Sequence, residues 1–125
     1  HVILNGEQQL TDLINKYDIP IVYGTDASRP LATVDFRQHD DIRKFKRRFG
    51  SLKTIRAMTG NTYELGKLCT YQHPYPDGKL GVLEVGSYAD LLLVQGNPVE
   101  DVEILAEQTN IQLVMKDGVV YKNTL

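Results

Sequence analysis

Residues 69–81, CTYQHPYPDGKLG, divide the chain more sharply than any other stretch. Two prolines and two glycines stand within it. Neither a helical nor a strand ladder runs through such a composition, so it reads as a linker or ordered loop. Apolar residues before it recur with helical spacing, and those after it fall in short β-rich runs. The chain is 125 residues long. That suits one modest domain or two small units, here a helix-rich segment 1–68, a linker 69–80 and a β segment 81–125.

Within the first segment, GEQQLTDLINKYDIP places Leu10, Leu13, Ile14 and Tyr17 on one helical face, with Pro20 marking its end. The spacing predicts a helix near 7–17. Next, IPIVYG is β-branched and aromatic and predicts a buried strand near 20–24, left at Gly24. Residues 27–37 show no period and read as a loop following a strand end. Further helices are predicted near 38–48, 51–59 and 61–67. Ile42, Phe45 and Phe49 share a face of the first, and Gly50 closes it. Ser51 is the expected N-cap of the second, with Leu52, Ile55 and Met58 as its buried stripe. Asn61 or Thr62, helped by Glu64, is the expected cap of the third.

The β segment holds two Gly-bounded runs, of which Ala89–Val94 is the more apolar. A short helix with Val102 and Leu105 inward follows. IQLVMKDGVVYK then predicts an antiparallel hairpin over 112–122, because Asp-Gly suits the two positive φ angles of a type I′ turn.

Charge excludes some partners. A net charge of −2 supplies no field for nucleic acid, and no run nears the ~20 apolar residues of a membrane span. RKFKRRF, residues 43–49, reads as a solvated helix face. A single cysteine, Cys69, rules out an intramolecular disulfide and leans towards a reducing compartment such as the cytoplasm. The first residue is His1 and helical spacing begins almost at once, so the chain reads as a piece of a longer protein.

One residue stands where chemistry is usually found. Asp26 follows the apolar run directly, and in α/β folds ligands gather at the C-terminal ends of strands. The residues alone leave open a solvated Asx turn or a functional carboxylate. Ser28-Arg29 comes next, and Arg29 suits either a surface position or recognition of a carboxylate.

The order YGTDA, LKTIRAMTGNTYELGKL, GKLGVLEVGSYADLLLVQGNPVEDVEIL and VMKDGVVYKN resembles the C-terminal portion of the amidohydrolase superfamily. Its imidazolonepropionase-like and Xaa-Pro dipeptidase-like branch is the most similar, over about 110 residues, and the pattern from Gly81 to Pro98 carries most of the likeness. The resemblance implies an α/β architecture: the last strand and closing helices of a (β/α)8 barrel, then the C-terminal half of a small β-sandwich. It implies a metal-dependent hydrolase of amide, peptide or cyclic amide C–N bonds. Asp26 matches the acid/base carboxylate beside the divalent metal, zinc in the first instance, and Arg29 would face a small-molecule or peptide substrate.

The family's other ligands are a His-x-His pair, a Lys or Glu, and two further His. This chain has three histidines and no His-x-His. His39 opens a predicted helix beside Asp40 and Asp41, and His73 lies among tyrosines. One carboxylate makes no zinc site, so this chain alone is expected to hold no metal tightly. Its expected partner is the missing barrel segment or another copy, as a homo-oligomer. The alternative is a non-catalytic structural or interaction domain.

Overall fold

The computed structural model describes residues 2–25 and 35–125, of which 2–4 and 35–39 are described by backbone alone. Asp26, Arg29 and most of the expected 27–37 loop lie outside these residues. Helix α1 spans Val2–Lys16. It ends with Asp18 at φ 46°, while the Ile19 amide donates back to the Ile14 carbonyl at 3.0 Å. This is a left-handed cap that satisfies an otherwise orphaned carbonyl. Lys53 donates to that same carbonyl at 3.2 Å and pairs with Asp18 at 3.0 Å, which fastens the end of α1 to the next helix.

Helix α2 spans Asp35–Met58 and is broken at Gly50, whose φ of 77° and ψ of 167° lie outside any helix. Two rods therefore stand where two helices are expected, with the glycine at the break. The first begins earlier than its apolar period suggests, so His39 does not open it and Asp40 and Asp41 lie in its second turn. Helix α3 spans Gly60–Lys67.

Residues 19–25 carry no helix and no ladder, contrary to the strand expected there. A strand is defined by a neighbour, and none of the described strands lies beside this stretch. Its bonds run instead to the corner between α2 and α3.

The core sits where the first rod of α2 meets a 3₁₀ turn at Val102–Ala106. Ile42, Val102 and Ala106 are buried together, with Tyr23, Ile55, Met58 and Leu105 packed on them. Tyr23 and Phe45 meet edge to face at 5.0 Å, and Phe45 tilts on Phe49 at 5.5 Å. The second rod keeps Ile55 and Met58 of its expected stripe against the core but not Leu52. Thr54 and Ala57 are fully buried, whereas Leu52 is 48% exposed. Thr54 is admitted because its Oγ1 donates to the Gly50 carbonyl at 2.8 Å. Ser51 does not cap its own helix. Its Oγ donates to the Glu100 carbonyl and accepts from the Val102 amide, so it stitches α2 to the 3₁₀ turn.

Past α3 the chain makes a short 3₁₀ turn at Thr70–Gln72 and an irregular run. The first Gly-bounded run forms no strand, and Leu83 and Val85 are exposed. Strands β1 (Leu91–Val94), β2 (Ile111–Lys116) and β3 (Val119–Asn123) form an antiparallel sheet in that order. The β2–β3 turn is the expected one, with Asp117 at φ 51° and Gly118 at φ 74°. Asp90 accepts from the Asp117 amide at 2.7 Å and Ala89 from the Gly118 amide at 3.1 Å, so the residues before β1 lock the hairpin. The whole is a mixed helix and strand fold with one small antiparallel sheet.

Candidate functional site

Asp26 and Arg29 lie outside the described residues. What is described is the stretch that leads to Asp26. Tyr23 donates its amide to the Ala57 carbonyl at 2.9 Å, and that carbonyl also accepts from Thr62 Oγ1 at 3.1 Å. Two residues earlier the Ile21 carbonyl accepts from Asn61 Nδ2 at 2.8 Å. Residues 21–23 are thus tied to the α2–α3 corner by their own backbone. Burial, with Asp41 nearby, pushes the Tyr23 hydroxyl above its ordinary range.

These bonds also revise the expected caps. Neither Asn61 nor Thr62 caps α3, and its N-terminus has no side-chain cap. Both side chains turn to backbone carbonyls instead, Asn61 reaching across 40 residues of chain. The sequence offers a cap residue and a tertiary tie in the same letters, because both uses need a short polar side chain.

A second cluster joins α2 to the 3₁₀ turn. Arg43 pairs with Glu103 at 3.6 Å and Glu107 at 3.3 Å, and Lys46 with Asp101 at 2.9 Å and Glu103 at 3.1 Å. Two bases of the stretch 43–49, Arg43 and Lys46, thus meet acids of EDVEILAE, in addition to facing solvent. Hydrogen bonds donated to Asp101 and Glu103 raise the Lys46 ammonium above its usual range. Lys46 and the Glu103 amide hold Asp101 below its own.

A cavity of about 520 Å³ lies between α3 and the linker, lined in part by Met58, Leu65, Cys69, His73, Leu80 and Asp90. His73 packs edge to face on Tyr63 at 5.4 Å, as its tyrosine-rich surroundings suggest. Its Nδ1 accepts from the Tyr75 amide at 2.9 Å, and its Nε2 is buried without a partner among the described residues. Cys69 is exposed.

The described residues do not fit a metal centre. No group of three or more His, Cys, Asp or Glu side chains among them is placed to hold an ion. The His39 side chain lies outside the described residues. No helix of the described residues is long and apolar enough to cross a membrane.

A model of the amidohydrolase family matches residues 5–121. The chain belongs to the amidohydrolase family. No curated protein matches it. Solved structures that resemble it include an uncharacterised protein (24% identity, TM-score 0.72). Others are a prolidase in complex with N-methylphosphonate-L-proline (23%, 0.73) and an amidohydrolase (28%, 0.72). Each likeness covers 94% of this chain and 26% of the other. This amidohydrolase chain thus spans about a quarter of those proteins.

Proposed function

We propose that this chain is the C-terminal part of an amidohydrolase that hydrolyses an amide, peptide or cyclic amide C–N bond, with Asp26 as its general acid/base. The family match over residues 5–121 carries the reading. In this reading residues 1–68 are the last strand and closing helices of a (β/α)8 barrel, 69–80 the linker, and 81–125 the C-terminal half of a β-sandwich. The 19–25 stretch is the eighth barrel strand, and its ladder partners belong to the remainder of the protein. One backbone bond, from Tyr23, and one bond from the Asn61 side chain tie this stretch to the α2–α3 corner.

Asp26 accepts the proton of the attacking water and returns it to the departing nitrogen, a service worth roughly 10²–10⁴ in rate. Arg29 receives a substrate carboxylate through its planar fork. Dipeptides ending in proline are the first substrates to try. A divalent metal, zinc first, enters the proposal through residues elsewhere in the protein.

The test is steady-state kinetics on the full-length protein with Asp26→Asn, with bound metal quantified in both forms. The expected outcome is a kcat lower by roughly 10²–10⁴ at equal metal content, with a smaller change in KM. Near wild-type kcat would leave Asp26 as a turn residue. A loss that tracks lost metal would make it a ligand instead.

A further inference from the structure

His73 sits where the linker passes α3. Its ring meets Tyr63 edge to face at 5.4 Å, and a Cβ built on Gly66 would stand 3.5 Å from its Nε2. Tyr63 and Gly66 are three residues apart on α3 and share a face, with no side chain from Gly66 to hold the ring off. Nε2 is buried without a partner among the described residues, while Nδ1 accepts from the Tyr75 amide at 2.9 Å. Tyr75 carries the contact onward. Its ring meets Tyr88 edge to face at 5.5 Å and lies 5.9 Å from the Lys116 ammonium of β2. A single imidazole thus stands between a helix and the residue that reaches the sheet.

We propose that His73 is an acid-released latch: its neutral ring clips the Tyr75 backbone in place between α3 and the sheet, and its protonation frees the linker. An imidazolium carries a proton on both nitrogens and accepts nothing. Its Nδ1–H would face the Tyr75 N–H, donor against donor, and its Nε2–H would be buried with no acceptor. The charges around the ring do not repair this. On α3, Lys67 lies over the Tyr63 ring and pairs with Glu64. In the linker, Lys79 pairs with Glu84, and on β2 Lys116 stands beside Asp117. Of the described residues lining the cavity beside His73, Asp90 is the one carboxylate; its Oδ1 accepts from the Asp117 amide, and it makes no bond to Nε2. Tyr63, Tyr75 and Cys69 line it too, and phenols and thiols bring no charge below neutral pH. The latch therefore lends stability above the ordinary histidine value of ~6.5 and loses it as pH falls below that value.

The experiment follows amide hydrogen exchange over residues 69–80 of the full-length protein at about pH 7.5 and about pH 5.5, with each rate corrected for the pH dependence of an unstructured amide. His73→Asn keeps an acceptor near the place of Nδ1 but takes up no proton, and His73→Ala removes the acceptor. In the wild type, protection over 69–80 is expected to fall about tenfold at the lower pH, the change that one proton near ~6.5 brings over that range, while α1 and β2 keep theirs. His73→Asn should be equally protected at both pH values, and His73→Ala poorly protected at both. Wild-type protection that is the same at both, or a fall that persists in His73→Asn, would overturn the proposal. Should neither variant fold, deuterium uptake at the imidazole carbon between the two nitrogens reports His73 protonation in the wild type. Loss of linker protection must then follow that titration, and loss centred at a different pH would overturn the latch.

Discussion

Single residues here matter most where backbone meets backbone. Gly81 has φ +70°, and a Cβ built on it would lie 2.4 Å from the Thr59 carbonyl carbon and 2.7 Å from the Gly60 amide nitrogen. Neither neighbour is a side chain that can swing away. Gly81 lets the linker cross the start of α3 at closest range, which accounts for its place at the head of the Gly81–Pro98 pattern. Gly81→Ala combines a left-handed backbone with an overpacked contact, and should destabilise the protein by at least about 2 kcal/mol. Denaturant midpoints at constant m-value measure this. Gly86→Ala is the control: it shares a positive φ but has open space around it, so it should cost clearly less. Equal costs at the two sites would show that the approach to α3 is not what Gly81 serves.

Between elements, the joint of α2 with the 3₁₀ turn at Val102–Ala106 combines a small apolar core with a rim of charge. Its pH dependence follows from the direction of the shifts. The folded state holds Asp101 below its ordinary value, so the stability it lends is present above the unfolded value near ~3.9 and is lost as pH falls through the folded one. Lys46 is raised, so its share is present below ~10.4 and is lost as pH rises through the folded value. Between these limits the joint should be indifferent to pH. Asp101→Asn should flatten the acid limb of a plot of melting temperature against pH and, because the Asp101 carboxylate is the main cause of the raised Lys46 ammonium, weaken the alkaline limb as well. An unchanged acid limb would show that these exposed pairs lend nothing measurable, the common fate of surface ion pairs. Added salt should weaken the same joint, since solvent reaches every pair in it.

At the scale of the whole molecule, apolar surface is the outstanding property. Leu68, Tyr71, Leu83 and Val85 are each more than 75% exposed. Leu10 and Leu13 on α1, and Tyr17 just past its end, are also open, while Ile14 beside them is buried. Both outer strands of the sheet, β1 and β3, have a free side among the described residues. Solved relatives are about four times longer, with this chain covering 26% of each. Surface of this kind is what the remainder of such a protein would cover. Prepared alone, the 125-residue chain should therefore associate at high concentration. Light scattering checks it, and a compact monomer under those conditions would contradict it.

Local chemistry was legible in the letters alone. The helical periods before residue 68, the break at Gly50, the Asp117-Gly118 hairpin and the inward Val102 each rest on neighbours close in sequence. Steric and turn rules act at that range. The family likeness was legible too, because it lies in ordered short patterns. Tertiary structure alone decided which way Ser51, Asn61 and Thr62 point, since a short polar side chain serves a cap or a distant carbonyl equally well until the partner arrives. It decided that the second rod of α2 buries Thr54 and Ala57 rather than Leu52, because the face that is buried depends on what packs there. It also decided that 19–25 stands without a ladder here. Apolar β-branched residues favour a strand, but hydrogen bonds to a neighbouring strand make one, and no described strand lies beside them.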